Sequence, residues 1–165
     1  IMEQLLADPS APLTVKVWTN KDVYSPNDTM QIYVKGNKPF YGMLTYKDST
    51  GEILQILPNP NRKSNHFNGG VIYTIPGDGD TFDLAVEPPF GKESLSHYAR
   101  TMPLGDVSKI ELGVAFKVKD EVEKIAQKTR GLKLVKAKVN DVGEVVRDER
   151  IAEFSQVSKE VTVEE

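Results

Sequence analysis

Short runs of alternating apolar and polar residues, separated by turn-forming residues, most restrict how this chain can fold. All ten prolines lie between Pro9 and Pro103, with Gly, Asn and Asp interspersed among the runs. Because proline interrupts helix interiors and central strands, this region can hold only short elements. A period of two places successive side chains on opposite faces of a strand. The chain up to about Gly105 is therefore predicted to be all β.

The alternating runs divide into a series of short strands joined by turns. A hairpin is predicted where residues 40–47 pass through the turn DSTG, and a second one where residues 71–76 pass through GDGD. The polar stretch 58–70 is predicted to be a long loop. The predicted strands cover residues 13–19, 29–35, 40–47, 52–58, 71–76, 81–87 and 93–99. This pattern predicts a mainly β fold, an immunoglobulin-like antiparallel β-sandwich.

One face of each alternating run is apolar, and we expect these faces to meet between two sheets. The predicted core consists of Val15, Val17, Ile32, Val34, Leu44, Ile56, Ile72, Leu84 and Val86.

The C-terminal third has longer elements. Residues 110–118 alternate without a break and are predicted to form one strand, and Val-bearing strands are predicted on either side of the turn NDVGE and near the C-terminus. Between these strands, Val122, Ile125 and Ala126 form the stripe of an amphipathic helix at 120–130, which we expect to pack on the sandwich.

The domain organisation follows from these elements. Residues 1–12 are predicted to be an N-terminal lead segment, and residues 13–165 a single domain in which 106–165 form a strand–helix–strand elaboration. Residue 1 is Ile rather than Met, so we expect a mature form or a piece of a longer protein.

Composition excludes several classes of function. The net charge of −3 argues against a nucleic-acid partner, and the absence of Cys removes disulfides, Fe–S clusters and thiolate zinc sites. No apolar run approaches the roughly 20 residues of a transmembrane helix. We expect no cofactor and no transmembrane segment, and the sequence leaves the oligomeric state open.

No catalytic or metal-binding constellation emerges. Ser96 and His97 are adjacent, so in a strand their side chains point to opposite faces, and both histidines are predicted to be solvent-facing or at an edge. The run GDGDTFD resembles the start of a calcium loop, but Phe82 stands at the next ligand position. No catalytic, cofactor-binding or metal-binding residue is therefore predicted, and the chain is predicted not to be an enzyme.

The loop 58–70 is the candidate interaction site, because long polar loops between strands are often functional. Its candidate residues are Asn59, Asn61, Arg62, Asn65, His66 and Asn68. The alternative reading is a glycan-, peptidoglycan- or peptide-binding module that uses this loop and exposed aromatic rings. The available rings are Trp18, Tyr24, Tyr33, Tyr41, Tyr46 and Tyr73.

A succession of motifs over residues 13–104 resembles the bacterial domain of unknown function 4384. The matching positions are Tyr24 with Asp28, Asn37, Tyr41, Asp48 with Gly51, Leu57 with Pro58 and Asn59, and Pro89 with Gly91 and Glu93. One departure is Asn27, where the family usually has Gly, and a turn tolerates this change.

The resemblance implies a β-sandwich module of bacterial envelope proteins and lipoproteins, with no catalytic residue assigned. It favours a non-enzymatic interaction or scaffolding domain in the bacterial cell envelope, periplasmic or anchored at the outer membrane. The implied partner is another envelope protein or a fused domain of a longer chain.

Overall fold

A computed structural model describes residues 1–104, 109–112, 115–118, 138–146 and 152–165 of the chain. These residues contain one short helix and a series of strands. In chain order they are α1 Met2–Ala7, β1 Val15–Thr19, β2 Val23–Tyr24, β3 Ile32–Gly36, β4 Phe40–Lys47, β5 Ile53–Leu57, β6 His66–Phe67, β7 Tyr73–Ile75, β8 Gly91–Arg100, β9 Lys109–Leu112, β10 Ala115–Val118, β11 Lys138–Val139, β12 Val145–Val146 and β13 Phe154–Val163.

Two sheets form the body of the protein. The smaller has the order β1-β3-β7, and the larger has the order β2-β13-β8-β4-β5-β10-β9, with β6 paired to β4. Most strand pairs are antiparallel, but β13 runs parallel to β2, which makes the larger sheet mixed. The mainly β, sandwich-like architecture expected from the alternation is confirmed.

One apolar core joins the inner faces of the two sheets. Val15, Ile32 and Ile75 come from the smaller sheet, and Leu44 and Leu95 from the larger one. The predicted core residues of β1, β3, β4 and β5 are buried, as is Val86, while Leu84 is partly buried against them. Alternation therefore identified the inner faces of these strands correctly.

The hairpin of β4 and β5 is confirmed, since the two strands pair antiparallel across the predicted turn. The Asp48 side chain accepts hydrogen bonds from the backbone N–H groups of Thr50 and Glu52. Gly51 has φ +92°, a left-handed conformation in which a side chain would be strained.

The second predicted hairpin is wrong. Strand β7 pairs with β3, and residues 81–87 contribute only an isolated bridge between Ala85 and Thr29. Ile72, predicted to be in the core, is 55% exposed. Turn residues permit a hairpin without selecting a partner strand, and here the neighbouring strand β3 provides the pairing edge.

The run 110–118 was predicted to be one strand, but it contributes two strands, β9 and β10, that pair antiparallel with each other. Alternation does not mark where a run is divided, and Gly113, a residue type that weakens strand interiors, lies between them. The predicted helix at 120–130 lies outside the described residues. The turn NDVGE is confirmed, because it joins the paired strands β11 and β12.

The buried side chain of Asn37 helps to hold the lead segment against the sandwich. Asn37, 3% exposed, donates from Nδ2 to the carbonyl oxygens of Asp8, Ala11 and Pro12 at 2.9–3.1 Å. Its Oδ1 accepts the N–H of Thr14. This amide thus contributes to fixing the chain that enters β1.

Candidate functional site

The loop 58–70 is tied into the fold rather than standing free. Asn59 is 2% exposed; its Nδ2 donates to the Ile56 carbonyl, and its Oδ1 accepts the N–H groups of Asn61 and Arg62. The segment was predicted to be a loop without strands, but it contains strand β6. The reason is that the Phe67 ring packs in the core, where it is 1% exposed. Much of the loop's polarity therefore serves its own conformation.

Two further candidate residues of the loop have side-chain partners within the fold, and three are exposed. Arg62 forms an ion pair with Asp80 at 2.9 Å, and Asn65 donates to the Gly42 carbonyl at 3.1 Å. The exposed side chains are those of Asn61, His66 and Asn68, and the His66 ring meets Tyr41 edge-on. None of these three side chains lines the cleft between the β4–β5 hairpin and the segment 82–89, and an interaction role for the loop stays a prediction.

The prediction of two surface or edge histidines is wrong for His97. Its side chain points into the core beside Phe40, is fully buried, and has no hydrogen-bond partner for either ring nitrogen among the described residues. Burial lowers the pKa of His97 to about 3, so the ring is neutral at physiological pH. Ser96 lies on the opposite face of β8, where its hydroxyl is 3.3 Å from that of Ser158.

Two aromatic rings are partly accessible on the outer face of the smaller sheet. Trp18 and Tyr33 are cross-strand partners whose rings stack with 5.6 Å between centroids and 26° between planes. The ammonium of Lys16 lies 4.9 Å from the Trp18 ring centroid. The rings thus cover part of each other and do not form a row of coplanar faces.

A cleft of about 330 Å³ opens where the β4–β5 hairpin meets the segment 82–89. This volume is near the lower end of ligand pockets, about 300–1,000 Å³. The described residues that line it are Met30, Tyr46, Asp48, Glu52, Ile53, Leu54, Ile56, Asn59, Phe82, Asp83, Leu84, Ala85, Val86, Glu87, Pro88, Pro89 and Glu93. Most of these are apolar, and the polar ones are mainly carboxylates.

The buried carboxylate of this cleft is Glu93, which is 5% exposed. Its Oε1 accepts the Tyr46 hydroxyl at 2.5 Å, and its Oε2 accepts the backbone N–H of Ser49 at 3.0 Å. Burial, together with the hydrogen bond to Glu93 and its charge, raises the pKa of the Tyr46 phenol. The phenol therefore remains a donor, and the carboxylate is held in one orientation.

The local sequence explains how Glu93 reaches this position. It occupies the inward phase of β8, two residues before the core residue Leu95. Gly91, with φ +127°, lets the strand begin close to the hairpin turn, since a Cβ there would lie 3.2 Å from the Ser49 Cβ. An ionisable residue on the apolar face of an alternating strand is the signal in the sequence that indicates such a buried carboxylate.

The aspartates of GDGDTFD serve a turn. Asp80 accepts the Gly77 N–H at 2.6 Å and pairs with Arg62, while Asp78 and Asp83 are exposed. Among the described residues, no group of three or more potential metal ligands converges. No helix in the described part of the chain has the length and apolarity needed to span a membrane.

Comparison with known proteins gives a match to a sequence family. Residues 23–103 match the sequence model of the domain of unknown function DUF4384. No curated protein and no solved structure matches the chain. The matched segment contains the whole β4–β5 hairpin, the segment 82–89 and Glu93, and hence the cleft.

Proposed function

Residues 23–103 match the sequence model of the domain of unknown function DUF4384, and from this match we propose that the chain is a non-enzymatic interaction domain of a bacterial cell-envelope protein. The observation that carries the proposal is the cleft between the β4–β5 hairpin and the segment 82–89. Its walls are mainly apolar, and it contains a buried, oriented carboxylate, as recognition sites do. The envelope location rests on the family resemblance.

Several residues that carry the family resemblance also lie in the cleft. Four of the residues that carry it, Asp48, Asn59, Pro89 and Glu93, line the cleft. Asp48 and Asn59 stabilise turns through their side-chain oxygens. The turns in question are those that shape this cleft, which supports a binding role for it.

A non-enzymatic role is supported by the placement of the ionisable groups. His97 is neutral and enclosed in the core, and Ser96 lies on the opposite sheet face, so no base faces a nucleophile there. Glu93 is engaged with Tyr46 and Ser49. These contacts hold the carboxylate in one orientation as part of a fixed surface.

Photo-crosslinking in the native bacterium tests the proposal. A benzophenone amino acid replaces Ala85, which is exposed and lines the cleft, and in a matched variant it replaces Asp78, which is exposed and lies outside it. We expect a discrete adduct with an envelope protein, or with another domain of the same full-length protein, from position 85 only. Equal adducts at both positions, or none at position 85, would contradict the proposal.

A glycan-binding module is the second candidate, favoured by the partly accessible Trp18–Tyr33 pair. Binding of the chain to insoluble peptidoglycan would support it if Trp18→Ala abolished that binding while thermal unfolding stayed unchanged. Retention of the Trp18→Ala variant at the wild-type level would exclude this surface as the site.

A further inference from the structure

The charged side chains that line the cleft, among the described residues, are all acidic. The cleft is lined by the carboxylates of Asp48, Asp83, Glu87 and Glu93, and no Lys or Arg lines it among the described residues. A cleft with low-dielectric walls and charges of one sign focuses the potential that they create. This arrangement disfavours anionic ligands and attracts cations.

Glu93 adds a buried charge to this arrangement. Each of its carboxylate oxygens accepts one hydrogen bond, from Tyr46 or from Ser49, so each retains capacity for a second donor. It forms no ion pair with any cationic side chain of the described residues. Because an uncompensated buried carboxylate is costly, a cationic group bound beside it would be stabilised.

The apolar walls of the cleft indicate that the bound cation carries an aliphatic stem. Met30, Ile56 and Val86 are each less than 10% exposed, and they line the cleft together with the rings of Tyr46 and Phe82. Lysine and arginine carry a charged head on an aliphatic stem, which packs against apolar surface while the head remains paired. The two rings can also contact a cation through their faces.

The entrance of the cleft also carries acidic side chains. Asp83, Glu87 and Pro88 are exposed, and the backbone around Pro88 and Pro89 is stiffened by the two rings. Exposed carboxylates at an entrance increase the rate of encounter with a basic partner at low salt. The volume of about 330 Å³ fits one or two side chains better than an extended glycan.

We infer that the cleft captures a lysine or arginine side chain of a partner protein, with the cationic head on Glu93 and the stem against the apolar walls. This inference rests on the proposed function, because it names the partner chemistry of the same cleft. It identifies Glu93 as the anchor, and Asp83 and Glu87 as groups that guide a basic segment to it.

The test uses hexylammonium as a probe of the stem and head together, with 1-hexanol as the neutral probe of equal chain length. Each is titrated into the ¹⁵N-labelled chain, and the amide of Ser49 is followed because it donates to Glu93 Oε2. Hexylammonium is expected to shift this amide saturably, with affinity that falls as salt is added. Hexanol is expected to bind at least several-fold more weakly.

Variants separate local charge from net charge. Asp83→Asn with Glu87→Gln removes two carboxylates from the cleft, and Asp78→Asn with Glu164→Gln removes two exposed carboxylates elsewhere. The first pair is expected to weaken hexylammonium binding roughly two- to fivefold, the range for exposed charges, and the control pair to leave it unchanged. Thermal unfolding of both variants confirms that they are folded.

The outcomes distinguish the inference from the proposed function. Equal affinity for hexylammonium and hexanol, or no saturable shift of the Ser49 amide, would overturn the cationic assignment. If position 85 still crosslinked to a partner, the interaction domain would stand without it. Selective cation binding with no crosslink from position 85 would confirm that the cleft prefers a cation, but it would contradict the proposed function and with it a partner protein as the source of that cation.

Discussion

At the scale of single residues, the hydrogen bond between Tyr46 and Glu93 joins the hairpin to the start of β8. Tyr46→Phe removes the donor and leaves Glu93 Oε1 buried without that partner. We expect a loss of about 1.5–3 kcal/mol in the free energy of unfolding, the range for hydrogen bonds to charged groups. Urea denaturation of the wild type and the variant measures it.

A matched control is available for this substitution. The Tyr33 hydroxyl donates to the exposed Gln31 side chain at 3.2 Å, a contact between neutral groups open to water. Tyr33→Phe is expected to change the free energy of unfolding by less than about 0.5 kcal/mol. Equal losses in the two variants would mean that burial of Glu93 does not strengthen its hydrogen bond.

His97 predicts a specific dependence of stability on pH. Its pKa falls from 6.5 to about 3 on burial, so between these values the unfolded chain binds more protons than the folded one. The contribution of neutral His97 to the free energy of unfolding is fully present above pH 6.5. It decreases as the pH falls toward 3, with a limiting slope of about 1.4 kcal/mol per pH unit.

The substitution His97→Leu removes this titration and leaves every carboxylate in place. The difference in free energy of unfolding between wild type and variant should therefore change with pH between 6.5 and 4, in favour of the variant at low pH. Guanidinium melts over this range measure it. Parallel curves would show that His97 is protonated in the folded state or titrates normally.

At the scale of elements, the smaller sheet depends on the inner face of β3. Ile32 is fully buried between the two sheets. We expect Ile32→Ala to lower the free energy of unfolding, measured by chemical denaturation, by about 2–5 kcal/mol. Ile72→Ala is the control, because it makes the same change in composition at a side chain that is 55% exposed. We expect it to lower the free energy of unfolding by less than about 0.5 kcal/mol. Similar losses would contradict the observed strand phases.

The contrast between these two isoleucines shows where pattern reasoning is sufficient. Ile32 lies in a run long enough for its alternation to set one phase, and β3 is paired on both sides. Residues 71–76 hold apolar side chains on both phases, with Ile72 on one and Tyr73 and Ile75 on the other. Only pairing with β3 decides which of them faces the core.

At the scale of the whole molecule, the segment that matches the family is smaller than the folding unit. Strand β1 supplies Val15 and Val17, and β13 supplies Val161 and Val163, to the same core. Strand β13 also pairs with β8 along ten residues, from Phe154 to Val163. Both strands lie outside residues 23–103.

A fragment limited to residues 23–103 is therefore expected not to fold cooperatively, because it would expose the core surfaces and strand edges that β1 and β13 cover. Dispersion of amide resonances and cooperativity of urea unfolding, compared with residues 1–165, measure this. A fragment with dispersed resonances and a sharp transition would show that the matched segment is an independent domain.

The amino-acid sequence is sufficient to predict the strand-forming runs and most of their inward faces, because both follow from a local period of two and from turn residues nearby in the chain. It did not determine that β7 pairs with β3 or that β13 joins β8 and β2, since strand partners are chosen by contacts far apart in sequence. It also did not find the cleft. Asp48, Glu93 and the segment 82–89 approach one another only when β8 lies beside the β4–β5 hairpin, and the environment of a carboxylate is a property of that packing.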